Sequence, residues 1–223
     1  MIIIAIDVSY CSLGLVVIDT DSKEILDNKT ITFKNYSALN KKDKEVHSKI
    51  SNHSILSKML DNSKKSEIKS RSEFMSEMWK NYRLYEFNSI LNNLKKKYKY
   101  DVVISENQFS SIGDVVTITR LASVSEDKMC DFIAYYPSSW RKILFGNGKL
   151  MNESKLIKEF TKEKMITVLD KCNFIKDGNV FNIDNFNSGD EIDAFALGVT
   201  YMFQNDILDA KYLQDIKYIK ENN

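Results

Sequence analysis

The sequence predicts an α/β domain built on a sheet that opens as a three-stranded antiparallel meander, and three observations carry that expectation. The run Ile2 to Ile6 is apolar without period-2 alternation, which suits a central strand covered on both faces. After Asp7, a polar break at Ser9 to Ser12 leads into the β-rich run Leu13 to Ile18, and the turn-forming TDSKE precedes a third run, Lys29 to Phe33. Beyond these strands, segments of helical spacing alternate with short apolar runs, so helices are available to cover the sheet.

Taken in order, residues 35–70 change character, with Lys, Ser and Asn dominating, and are expected to form an insertion within a single domain spanning 1–223. Between Lys41 and Arg71, nine Lys or Arg face four Asp or Glu, an excess able to track a phosphate backbone or simply to belong to a solvated polar helix pair. The two histidines, His47 and His53, fall here without a carboxylate pattern and read as surface residues. From Ser72 to about Tyr98, the series Phe74, Met78, Tyr82, Tyr85, Ile90, Leu94 predicts a long amphipathic helix capped by Ser72. Its lysine-rich end complements the negative end of the helix dipole. Asp101 to Ser105 is a short strand ending in Glu106; a helix is expected over Asp114 to Val124 and a strand over Phe132 to Tyr136, with Pro137 at its exit. In the stretch that follows, GNG separates a short helix from a longer one beginning near Asn152. Ser138 to Lys164 carries seven Lys or Arg against three Glu, with Trp140 and Phe145 among them, a nonspecific nucleic-acid signature. By itself Trp140 is more often a core anchor than a stacking platform.

With 223 residues and a formal charge of +1, the chain is long enough for one sizeable core and exerts no strong global pull on nucleic acid. Cys11, Cys130 and Cys172 are odd in number, without CxxC pairing, which argues for reduced thiols and against zinc. No charged-then-apolar leader and no membrane-length apolar run is present, so a soluble, cytoplasmic protein without a membrane partner is expected.

The most informative chemistry lies in Asn187 to Phe203. Ser188 and Glu191 form a capping-box pattern, which gives Glu191 a structural occupation. Asp190 and Asp193 share a helix face at i, i+3, yet from Ala194 to Phe203 the helix is apolar nearly all round. A buried carboxylate there needs a partner, a proton or a metal, and Asp177 to Asp193 holds five acids and no base. With Asp7 after the first strand and Glu106 after a later one, the chain offers four carboxylates suited to hard divalent cations.

The order strand-Asp, strand-Glu, helix with Asp-x-x-Asp-Ala resembles the RuvC-like Holliday junction resolvases of the ribonuclease H-like superfamily. Asp7, Ser9 and Gly14 in AIDVSYCSLG match the opening motif, ENQF at Glu106 to Phe109 the second and GDEIDAFALG the last, while SSWRKILFGNGK is similar to the family's basic DNA-contacting segment. The resemblance implies a ribonuclease H-like mixed sheet, with an antiparallel three-strand opening, then parallel strands, and helices on both faces. It implies Asp7, Glu106, Asp190 and Asp193 as catalytic ligands of two Mg²⁺ or Mn²⁺ ions. It also implies Phe109 near the crossover, Arg141, Lys142, Lys149 and Lys155 toward DNA, and a homodimer that nicks two opposing strands of branched DNA. The Lys-, Asn- and Ile-rich composition points to an AT-rich genome, and a phage or viral member is the expectation.

Other readings stay open at this stage. The same carboxylates serve an RNase H-like nuclease acting on RNA:DNA hybrid, and a noncatalytic DNA-binding module would use the basic segments alone. Sugar kinases and actin-like ATPases also open with a strand-Asp and a hairpin. With seven glycines and no glycine-rich phosphate loop, the chain argues against them.

Overall fold

The computed structural model describes residues 1–8, 12–33, 40–42, 44–45, 71–107, 119–120, 122–123, 129–146, 154–209 and 211–212, with the side chains of 71–84 and 154–156 left aside. Apart from five residues, the 35–70 insertion, both histidines and Cys11 therefore lie outside the described residues. So do Phe109 and Lys149, and of Lys155 only the backbone is described.

The apolar opening forms β1 (Ile2–Val8), paired antiparallel to β2 (Ser12–Asp19), which in turn pairs antiparallel to β3 (Glu24–Thr32). The 28-residue helix α1 (Arg71–Tyr98) returns the chain to the other side of β1, where β4 (Val102–Glu106) adds parallel, followed by β5 (Asp131–Tyr135), parallel to β4. Helices α2 (Pro137–Phe145) and α3 (Ser154–Cys172) come next. A hairpin of β6 (Ile175–Lys176) and β7 (Asn179–Val180), a 3₁₀ turn at Ile183–Asn185 and α4 (Gly189–Gln204) follow. Among the described residues, the seven strands lie in the order β5-β4-β1-β2-β3-β6-β7. This is the expected mixed sheet, with β1 near its centre.

Period-2 side-chain direction divides the central strands between two cores. Ile4, Ile6, Val8, Leu13, Leu15 and Val17 face α1, meeting Phe87, Leu91 and Leu94. Ile3, Ala5, Val16, Ile18, Val102 and Ile104 face the opposite way, against residues of α2, α3 and α4. Helices thus cover both faces, which is why β1 reads as apolar throughout. Helix α4 lies across β1 and β2 and is buried along nearly its whole length, as its composition predicted. Its close approach needs small residues: a Cβ at Gly198 would stand 2.9 Å from Ile18 Cδ1, and one at Gly14 would overlap the Asp190 carbonyl.

Three local expectations need correction. Strand β3 begins at Glu24, inside the stretch read as a turn, because the chain reverses within Thr20 to Lys23, where Lys23 takes a φ of 56°. The buried stripe of α1 runs through Phe87, Leu91 and Leu94, whereas Tyr85 is exposed; two residues before Phe87, it falls on the far side of the helix. Ser72 is inside α1 rather than its cap. The Pro137 expectation stands: proline ends the β5 exit and opens α2, where its missing N–H costs nothing. Cys130 and Cys172 are free thiols, and no described helix is long and apolar enough to cross a membrane.

Candidate active site

Strand direction assembles the site. Ile6 pairs with Ser105, so Asp7 and Glu106 leave two adjacent parallel strands side by side. Both continue the face of Ala5 and Ile104, toward α4. Across the other edge of β1, Asp7 pairs with Gly14, and the first turn of α4 rests on that glycine. Asp190 and Asp193, one helical turn apart, are thereby brought to the end of β1. Four acids separated by up to 186 positions in sequence become electrostatic neighbours.

Each is held differently. Glu106 is buried and accepts a 2.8 Å hydrogen bond from Trp140 Nε1, so α2 fixes its orientation. Asp190 accepts from Ser12 Oγ at 2.8 Å and from Lys158 Nζ at 3.2 Å. Lys158 also stands 3.9 Å from Asp193 Oδ2. Among the described residues, no side chain hydrogen-bonds to the Asp7 carboxylate. Burial, then the negative charges of Asp193, Glu106 and Asp190, hold its pKa well above the usual aspartate range, against a smaller pull from Lys158. Asp193 is pushed up to about 6, chiefly by burial; Glu106 and Asp190 add to the rise, while Lys158 and Arg141 oppose it. For Lys158 burial alone would lower the pKa. The hydrogen bond to Asp190 and the charges of Asp193, Asp190 and Asp7 outweigh it and leave the ammonium raised.

Glu191 has the structural occupation expected of it, in a richer form. The Ser188 side chain accepts from the Glu191 backbone N–H, capping α4. The Glu191 carboxylate, fully buried, does not return to Ser188 but accepts from Asn28 Nδ2 at 2.7 Å, Thr30 Oγ1 at 2.8 Å and the Asn187 backbone at 3.1 Å. Polar residues in the middle of β3 therefore clamp the start of α4 to the sheet. Lys176 joins this network through Asn28 Oδ1 at 2.6 Å.

Arg141 is half-buried, with its guanidinium over the Trp140 ring at 5.1 Å, and its charge reaches Asp193. Lys142 is exposed on the same helix. A cleft of about 390 Å³ opens beside Asp193 between α3 and the start of α4, with Lys158, Lys162, Phe186 and Ile192 in its walls. Sequence reasoning did not single out Lys158 or Ser12, nor did it give Trp140 a carboxylate partner.

The donor set, all carboxylate, suits a hard cation. As the side chains stand, no three His, Cys, Asp or Glu among the described residues converge tightly enough to ligate one ion. The strand pairing of β1 with β4 and the seat of α4 on Gly14 nevertheless bring the four carboxylates to the same end of β1.

A mixed sheet covered on both faces, antiparallel in its opening strands and parallel beyond β1, has the ribonuclease H-like α/β fold. Solved structures place it more particularly: the chain is similar to Thermus thermophilus RuvC, at 14% identity and a TM-score of 0.53, over 93% of this chain and 96% of that one. It is similar also to T. thermophilus RuvC in complex with Holliday junction substrate, at 13% identity and a TM-score of 0.52, with the same coverages. No protein-family model and no curated protein matches the sequence.

Proposed function

We propose that this chain is a divalent-metal-dependent endonuclease that resolves Holliday or other branched DNA junctions by paired nicks, acting as a homodimer. The observation that carries the reading is the convergence of Asp7, Glu106, Asp190 and Asp193 at one end of β1, in a fold shared with RuvC. One of those RuvC structures is in complex with Holliday junction substrate, which supports branched DNA as the substrate here.

In this reading the four carboxylates hold two Mg²⁺ or Mn²⁺ ions. Such ions, when bound, make water a nucleophile at neutral pH and stabilise charge on the leaving oxygen as the phosphorus–oxygen bond breaks. The chain's own residues orient the reaction. Trp140 donates a hydrogen bond to the Glu106 carboxylate and Ser12 donates one to Asp190, and these contacts orient the two acids. Arg141, its guanidinium 5.1 Å from the Trp140 ring centroid and its charge felt at Asp193, is assigned to a substrate phosphate. Lys142, Lys149 and Lys155 are assigned to the flanking backbone and Phe109 to the crossover, on the strength of the motif resemblance.

The test is cleavage of an end-labelled four-way junction with Mg²⁺, beside linear duplex and an RNA:DNA hybrid, by wild type and Asp7→Asn. Paired nicks confined to the junction are expected. Asp7→Asn should slow them by more than about 100-fold, beyond the 10–100-fold typical of losing only an outer-shell partner of a metal ligand. Preferential cutting of the hybrid would move the substrate to RNA:DNA. Binding without cutting under any divalent ion would overturn the nuclease reading.

A further inference from the structure

Lys158 is the cation that makes ion pairs with the carboxylate cluster among the described residues, and it does so from outside the motifs that carry the acids. It projects from α3, 3.2 Å from Asp190 Oδ1 and 3.9 Å from Asp193 Oδ2. Its charge is also felt at Asp7. The ammonium thus bridges Asp190 and Asp193. Yet its side chain is 55% exposed, lines the open cleft between α3 and α4, and is carried on a flexible four-carbon stem. The ammonium therefore has open space to swing into.

We infer that Lys158 is a resident counter-cation, which occupies the carboxylate cluster in the metal-free protein and yields it to divalent ions, so that this side chain sets how tightly the site takes metal. The inference rests on the reading that these carboxylates bind divalent ions. Its physical content is competition. Four carboxylates crowded at the end of β1 repel one another; a monovalent ammonium relieves part of that repulsion, and a divalent ion relieves more. The two cations are of one sign and seek the same Asp190 and Asp193 oxygens, so the ammonium must swing into the cleft for the metal to gain them. A lysine that instead shaped the carboxylates for the metal would act in the opposite direction, and its removal would weaken binding.

The experiment is Mn²⁺ binding to metal-stripped protein without DNA, read by electron paramagnetic resonance of the free ion, with melting temperature in chelator as a second readout. Lys158→Met keeps the apolar stem and removes the charge; Lys158→Gln makes the same comparison should the first variant not fold. Lys158→Arg keeps the charge, and Lys162→Met removes a charge from the same cleft one turn away. For Lys158→Met we expect Mn²⁺ affinity roughly tenfold tighter than wild type. Its melting temperature should fall in chelator and rise by more than the wild type's on adding Mn²⁺. Lys158→Arg and Lys162→Met should both stay near wild type. Equal or weaker Mn²⁺ binding by Lys158→Met, beside a wild type that binds, overturns the counter-cation role and leaves the metal site standing. A wild type that binds no Mn²⁺ overturns both.

Discussion

Folding makes Asp7 and Asp193 harder to ionise than they are in the unfolded chain. Asp7 lies well above its ordinary range and Asp193 at about 6 against a usual 3.8, with burial the main cause for each. A group whose folded-state pKa is raised contributes stability below its unfolded pKa and loses that contribution as pH rises through the folded value. The metal-free protein should therefore lose stability between about pH 4 and pH 6 through Asp193, with Asp7 extending the loss upward. For Asp193 the shift corresponds to about 3 kcal/mol at most. Melting curves in chelator across that range, for wild type and Asp193→Asn, test this. The variant should show the shallower decline, and superimposable profiles would remove Asp193 as a cause. The four acids were legible in the sequence because a carboxylate after a buried strand, or inside an apolar helix, is out of place without a reason. Their partners were not. Trp140 had the ordinary signature of a core anchor, and it is one, but a one-dimensional pattern holds no trace of its Nε1–H meeting Glu106. Lys158 is one of seven basic residues between Ser138 and Lys164, and only the packing of α3 beside α4 separates it from the rest.

Among the elements, α4 matters most to the site, and β2 and β3 decide where it sits. Gly14 lets the first turn of α4 rest on the sheet beside Asp7, because an added Cβ would overlap the Asp190 carbonyl. Gly14→Ala should therefore destabilise the fold by about 1–3 kcal/mol, the usual cost of overpacking. It should also depress cleavage in protein that is still fully folded, because Asp190 is displaced from Asp7. Urea denaturation with a parallel junction-cleavage assay separates the two effects; unchanged stability and rate would mean that the helix has slack at this contact. The meander, β4, β5 and α4 were readable from apolar runs and caps. The early part of β3, before Lys29, was not, because Asp27 and Asn28 look like turn residues. In the fold Asn28 and Thr30 turn to α4 and satisfy the buried Glu191 carboxylate, so their polarity serves a contact distant in sequence. The β6–β7 hairpin did leave a signal that went unread: Asp177 and Gly178 take φ of 51° and 77°, the paired positive values of the Asp-Gly hairpin turn.

For the whole molecule, the carboxylate cluster at the end of β1 gives each chain one site among the described residues, while resolution of a junction requires cuts in two opposing strands. If two chains supply those cuts, as proposed, the outcome on a supercoiled plasmid that extrudes a cruciform depends on how many active sites each dimer holds. Two working sites cut both strands within one encounter and give linear DNA. One working site relaxes the plasmid after the first nick, the cruciform is reabsorbed, and a nicked circle remains. Subunits of wild type and Asp7→Asn, mixed under conditions that let dimers exchange, form hybrids that keep the interface and the DNA-binding surface but hold a single complete cluster. A growing excess of Asp7→Asn should therefore convert the product from linear to nicked circles before total cleavage falls away, because hybrid dimers outnumber wild-type dimers once the mutant is in excess. A monomeric nuclease would show a plain dilution of activity with the product ratio unchanged. That result would remove the homodimer from the proposal while leaving the site at Asp7 intact.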